Sequence, residues 1–497
     1  MNEYNGTISS TLEDNRTYLK QAFNNSPDLL FQELTIGTKK GFLVYLEGLV
    51  DRPFLSAAIV EPLLALNNTQ SKVPEKDLTL GQVSEEVLCQ NQQAHFYEEI
   101  LKGLLSGQTV LFLDGAKEAL LCDTYGVKER NVQEPETEAS VRGPREGFVE
   151  RIGINASLLR SKLKDEKLRF EPMVLGKRSH TLVYITYFEG LANPKLVEEV
   201  RRRLNSIDID AILESGYIEQ LIEDGPFSIF PTVGATEKPD KLAAKLLEGR
   251  VGIMVDGTPF VLTVPYLLVE AFQNPEDYYA RPFYASVVRL IRYLAFYITT
   301  MLPAFYVAIQ TFHQEMVPTH LLIKMSAGRE GIPFPVIVEA LGMGIMFELL
   351  REAGIRMPRS VGQAVSIVGA LVIGEAAVQA GFISQSMVII VALTAISGFL
   401  VPPLTAPASL LRFYFLISTS FLGLFGWLMA LIALLIHLAS LRSFGVPYLS
   451  PLMPTNVGDL KDGFIRAPLW MMITRPSLLN SYYRQKKGSM PKPQKNP

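Results

Sequence analysis

Two sets of residues have the types and spacing to do chemistry. The first is four acids that each precede a glycine: Glu47, Asp114, Glu189 and Asp256. Glu47 and Asp114 are 67 residues apart, and so are Glu189 and Asp256. Carboxylates at strand ends lie where α/β proteins place ligands. An acid before glycine is also ordinary turn chemistry, and with no nucleophile, histidine or metal-ligand pair beside these four, the turn reading is preferred. The second set is Val361, Val365, Val368, Val372, Glu375 and Gln379, which share one helical face by their three-and-four spacing. If that face lined a pore, the valines would form a dry constriction and Glu375 an acidic ring favouring cations. The alternative is a buried packing helix whose Glu375 is hydrogen-bonded. Glu339 and Glu348 are two further acids in apolar surroundings, and ionisable groups in such places are functional candidates. His313 and His320 lack ligand partners and read as interfacial. No phosphate-binding loop, zinc-protease helix or nucleophile elbow occurs. We therefore expect no catalytic, cofactor-binding or metal-binding residue, and not an enzyme.

The elements that position the second set are membrane helices. From Ser360 to Leu411 the chain runs 52 residues with one charge, Glu375, about two bilayer crossings at roughly 20 apolar residues each. Residues 293–441 hold twelve charged side chains, and residues 442–497 carry nine Lys/Arg against two Asp. Five apolar segments can be drawn: Tyr293–Gln314, interrupted by Pro303; Ile332–Leu350; Val361–Phe382, rich in small residues that favour close helix packing; Ser384–Pro402; and Phe413–Leu441. Arg281, Arg289 and Arg292 hold the start of the first segment at the cytoplasmic face, and the basic tail belongs there too. That demands an even number of crossings. Ile332–Leu350 is short, opens with two prolines and carries Glu339 and Glu348. We expect it to re-enter or lie at the interface, leaving four full spans, although the three arginines of Arg351–Arg359 also look cytoplasmic.

The first set sits in a duplicated front. FLVYLEGLVD (residues 42–51) matches YITYFEGLAN (184–193), and LLSGQTVLFLDG (104–115) matches LLEGRVGIMVDG (246–257), both at an offset of 142. One offset for two motifs argues for duplication. The expected fold class is a duplicated α/β soluble N-terminal region, a helical transmembrane block and a short basic tail, α+β/α overall. The expected domains are a polar extension (1–29), two subdomains (30–127 and 147–285) joined by a linker (128–146), the membrane block (286–441) and the cytoplasmic tail (442–497). A net charge of −3 without a basic, aromatic-studded stripe excludes nucleic acid. Cys89 and Cys122 form no Cys-x-x-Cys pair and suit a reducing compartment. The polar start predicts no secretory signal.

Four stretches carry a family resemblance: PREGFVERIGINASLLRSKLK (Pro144–Lys164), the run from Glu223 to Tyr279 with FPTVGATEKPDK and MVDGTPFVLTVPYLLVEAFQNPEDYY, FHQEMVPTHLLIKMSAGREGIPFP (Phe312–Pro335), and LREAGIRMPRSVGQAVSIVGALVIGEAAVQAGFIS (Leu350–Ser384). Over about residues 30–445 the chain resembles the A subunits of the nutrient germinant receptors of endospore-forming bacteria. The resemblance implies a multi-pass protein of the spore inner membrane. It implies a transporter-like B subunit that binds the nutrient, a lipoprotein C subunit, and a homo-oligomer forming an ion path that opens on nutrient sensing. Many family members have Gln and then Glu where this chain has Glu375 and then Gln379, and many carry an acid at Gly344. The rival readings are a secondary transporter, against which the repeat lies outside the membrane block, and a non-conducting scaffold.

Overall fold

The computed structural model describes residues 6–37, 39–69, 80–126, 135, 138, 142–356, 374–456 and 458–477, excepting the side chains of 66–69. The chain divides into two compact units. One comprises Met1–Asp224, Val233–Tyr266 and Ile473–Pro497; the other comprises Gly225–Thr232 and Leu267–Met472.

The first unit is the duplication. Its first repeat has strands β1 (Leu29–Ile36), β2 (Lys39–Leu46), β3 (Asn91–Ala94), β4 (Gln108–Leu113) and β5 (Ala119–Asp123) in the sheet order β1-β2-β4-β5-β3. Its second repeat has β6 (Leu168–Leu175), β7 (Thr181–Phe188), β8 (Gly234–Thr236), β9 (Val251–Val255) and β10 (Val261–Val264) in the order β6-β7-β9-β10-β8, the same topology. Helices α1 (Leu12–Ala22) and α2 (Tyr97–Leu105) have counterparts in α3 (Ile152–Lys162) and α5 (Pro239–Leu247), while α4 (Ser215–Ile222) belongs to the second repeat.

Strand β2 is buried from Gly41 to Leu46 because alternate side chains feed two cores. Leu43 and Tyr45 join one cluster with Leu111 and Leu113. Phe42, Val44 and Leu46 join the other with Val110 and Phe112. Every strand pair in both sheets is antiparallel. The strand-end ligand rule for parallel α/β sheets therefore does not apply to this α+β unit. Two boundaries also differ from the sequence reading. Within residues 1–29, the described stretch from residue 6 is not an appendage, since α1 places Leu19, with Phe23 just beyond it, wholly inside the first core. Within the 128–146 linker, Glu138 is docked on the second repeat, accepting from Thr236 Oγ1 at 2.6 Å and pairing with Lys241 at 2.5 Å.

A buried ion pair ties the repeats together. Arg160 is 1% exposed, donates Nε to Asp28 Oδ2 at 2.9 Å and Nη1 to the Leu168 carbonyl at 3.1 Å, and lies over the rings of Phe23 and Phe170.

The second unit is helical: α6 (Pro282–Phe312), α7 (Thr319–Ala327), α8 (Val336–Arg356), α9 (Gly374–Gln379), α10 (Gln385–Gly398) and α11 (Thr405–Ser440). Among the described residues, two helical stretches are long and apolar enough to cross a membrane, Pro282–Phe312 and Pro402–Ser440. Pro303 lies inside α6 without ending it. The second stretch is folded in two. Gly423 has φ 59° and ψ −138°, a non-helical conformation within α11. Phe415 and Trp427, twelve residues apart, have ring centroids 6.2 Å apart, whereas a straight helix would separate them by about 18 Å. The span expected at Phe413–Leu441 is thus an antiparallel hairpin of two arms meeting at Gly423.

The contacts order the legs. At one end, here the root, Leu268 donates to the Tyr448 carbonyl at 3.0 Å, Pro402–Leu404 packs on Leu268–Phe272, and Arg289 pairs with Asp462 at 3.0 Å. At the other, the tip, Phe312 and His313 meet Gly423. α6 runs root to tip. α8 runs tip to root, because Glu339 near its start meets Ser384 and Glu348 near its end meets Ser409. Ser384 stands at the tip, α10 runs back to the root, and the two arms of α11 go out and return. Among the described residues these are five legs, with Thr299 Oγ1 of α6 bonded to the Thr394 carbonyl of α10 at 3.3 Å.

Arg289 and Arg292, which the sequence places at the start of the first segment, are buried around Asp277. The described part of the tail is likewise no free basic extension: up to Met472 it packs in the helical unit, where Asp462 also accepts from Tyr278 Oη at 2.8 Å.

Candidate functional site

The strand-end acids resolve as turn residues. Gly48, Gly115, Gly190 and Gly257 have φ between 79° and 96°, the left-handed turn conformation that glycine adopts without strain. Glu47 pairs with exposed Arg52 at 2.6 Å. Asp114 donates its backbone N–H to the Lys40 carbonyl at 2.9 Å. Asp256 Oδ1 accepts the N–H of Ile152 at 3.0 Å, satisfying the first turn of α3. Glu189 pairs with Arg169 on the wall of an open cleft between the repeats that also includes Tyr18, Gln21 and Lys167. The four acids lie at four separate turns and do not converge on one site. Among the described residues, no group of three or more His, Cys, Asp or Glu side chains could hold a metal.

The helical unit holds the other set. Val361, Val365, Val368 and Val372 lie outside the described residues. Glu375 and Gln379 are on α9, one turn apart, and both are exposed. Gln379 Nε2 donates to Glu375 Oε1 at 3.2 Å. Gly374, on the opposite side, faces Val388 of α10. The described part of this segment buries Gly374 and presents its acid and amide outward.

Glu339 and Glu348 are paired. Glu339 is fully buried; its Oε2 accepts the Ser384 N–H at 2.9 Å, and its Oε1 lies 3.0 Å from Arg329 Nη2. Glu348 accepts from Arg412 and from Ser409 Oγ and pairs with Arg351. The cost of two bare acids, the reason to expect α8 to be interfacial, is offset by these partners. α8 is continuous for 21 residues, about 31 Å. Arg412 falls just outside the apolar run that begins at Phe413, so apolar spacing alone does not mark it. The signal was available: Arg412 is the lone Asp, Glu, Lys or Arg between Ala376 and Leu441, and a lone buried cation needs an acid. His313 packs at the hairpin tip and His320 is exposed.

Comparison with known proteins decides the family. The sequence profile described as "Bacillus/Clostridium GerA spore germination protein" matches residues 17–478. The chain belongs to the GerA family. Spore germination protein KA of Bacillus subtilis (strain 168) is 45% identical, over 98% of this chain and 90% of that one. Spore germination protein B1 of the same organism is 38% identical over 95% of this chain and 97% of its own length. Uncharacterized membrane protein YfkQ, also of Bacillus subtilis (strain 168), is 40% identical over 98% of this chain and 96% of that one. Among solved structures, the N-terminal domain of the A subunit of the Bacillus megaterium spore germinant receptor GerK3 aligns at 34% identity, covering 53% of this chain and 97% of that one, with a TM-score of 0.43. The A-subunit resemblance seen in the sequence is thereby established at the level of the GerA family.

Proposed function

We propose that this GerA-family chain is the A subunit of a spore germinant receptor and that copies of it surround an ion path which opens when a nutrient is sensed. The observation that carries this is the placement of Glu375. Its carboxylate, with Gln379, is exposed on the outside of the helical bundle, on the segment beside apolar α10. A charged group facing lipid is costly, so that face needs water, another copy, or both. A ring of chains with α9 turned to a central water path supplies both. The chain works as a membrane subunit without catalytic chemistry of its own, beside a transporter-like B subunit that binds the nutrient and a lipoprotein C subunit. Opening requires a ligand with different affinity for the two states.

An even number of crossings fits this reading, with the duplicated front and the C-terminal segment on the cytoplasmic side of the spore inner membrane.

The test is the purified full-length protein in potassium-loaded liposomes, alone and with its B and C partners, with subunit number read by mass photometry. Glu375→Gln should lower the preference for potassium over chloride. Absence of conductance in every combination would make the protein a scaffold, and unchanged selectivity in the variant would remove Glu375 from the path.

A further inference from the structure

Glu339 is a fully buried carboxylate that the conduit reading leaves without a task. It stands near the start of α8, yet its partners lie on two other segments. Helix α9 ends in a glycine cap: Gly381 has φ 69°, its N–H reaches the Val378 carbonyl at 3.0 Å, and the N–H of Phe382 reaches the Ala377 carbonyl at 3.0 Å. Three residues after Gly381, Ser384 caps α10 through its Oγ, which accepts from the Met387 N–H at 3.4 Å. The backbone N–H of Ser384 faces inward and is taken by Glu339 Oε2 at 2.9 Å, with Ser384 only 2% exposed. The other oxygen, Oε1, has no hydrogen-bond partner and is held by charge alone, 3.0 Å from Arg329. Arg329 in turn donates to the Phe334 carbonyl at 3.2 Å, and the Phe334 ring packs on Phe382 with centroids 6.3 Å apart.

We propose that Glu339 is a positioning residue that latches the turn between α9 and α10, holding Glu375 and Gln379 at one height in the closed state. The latch has one firm half and one loose half. The amide bond to Glu339 is short and buried, whereas the Arg329 contact is electrostatic, unaligned and partly open to solvent. An event at the tip that draws Arg329 away leaves a buried carboxylate with one hydrogen bond, which favours release of the turn. The role in closure rests on the conduit reading above; the hold on the turn does not.

The experiment uses the full chain in nanodiscs and in liposomes with Glu339→Ala, Glu339→Gln and Arg329→Gln. Hydrogen exchange of peptides spanning 379–388 reports the turn directly. Glu339→Ala should speed exchange there by about tenfold, the loss of one buried hydrogen bond. Glu339→Gln, which keeps an acceptor, should remain near the parent, and Arg329→Gln should fall between. Basal potassium efflux should rise in the same order. Unchanged exchange in both Glu339→Ala and Arg329→Gln overturns the latch whatever the efflux does. Faster exchange with parental efflux, in liposomes where the parent conducts, overturns its part in closure. If no chain conducts, the conduit reading falls and exchange alone decides the latch. Should Glu339→Ala fail to fold, Arg329→Gln carries the same comparison from a partly exposed position.

Discussion

At the residue scale, several buried charges are paired across segments, and that sets what their loss costs. Arg160 joins the two repeats with its guanidinium inside the protein and Asp28 only 8% exposed on its side chain. Removing one partner strands the other, a loss of about 3–5 kcal/mol. Arg160→Ala should therefore lower the first thermal transition of the full chain steeply, and Arg160→Lys should recover little, since an ammonium cannot make the forked contacts. In the helical unit the same logic gives a sharper test. Glu348→Ala leaves Arg412 buried and unpaired and should destabilise strongly, whereas Glu348→Met with Arg412→Met should return near parental stability, as apolar replacement of a buried pair often does. Thermal unfolding in detergent reads both. A third residue responds to pH. Burial first, and the neighbouring Glu223 and Glu214 second, push Glu219 on α4 up to about 7. The folded state thus holds this proton more tightly than the unfolded chain. The resulting stability is full below the ordinary carboxylate range and is lost as pH rises towards 7. Glu219→Gln should raise the melting temperature at pH 8 by a few degrees and change it little at pH 5; equal shifts at both would remove Glu219 as the cause.

At the element scale, the α11 hairpin is the feature with opposite predictions under rival readings. In a straight span, Gly423→Ala would stabilise the helix by about 1 kcal/mol. At φ 59° and ψ −138°, alanine is strained by about 1–3 kcal/mol, and its Cβ would fall 2.9 Å from Phe312 Cβ. Gly423→Ala should therefore destabilise the helical unit. The hairpin was illegible in the sequence because Phe413–Leu441 has no charged residue or proline to mark a turn. Glycine is common in membrane helices, and only packing against Phe312 shows which one bends. The strand-end acids were more legible, since an acid before a left-handed glycine is local chemistry and needs no distant partner.

At the scale of the whole molecule, the proposed crossing of the membrane predicts that the tip and the root of the bundle lie on opposite sides. With the Cys89 and Cys122 thiols replaced by serine, Glu330→Cys and Leu422→Cys at the tip should react with an impermeant thiol reagent from one side of sealed vesicles. Lys461→Cys at the root should react only from the other. A four-span protein with a straight last helix would leave Leu422→Cys unlabelled at mid-bilayer.

The linear chain by itself determined the duplication, the apolar block and the family resemblance. Each is written in spacing, composition or contiguous strings, which local physics reads directly. Tertiary structure alone decided that both sheets are antiparallel, that Glu348 is answered by Arg412 some sixty residues away, that the tail packs around Arg289, and that the last apolar run is two arms. These depend on which buried groups find partners far along the chain, and no local pattern encodes that pairing.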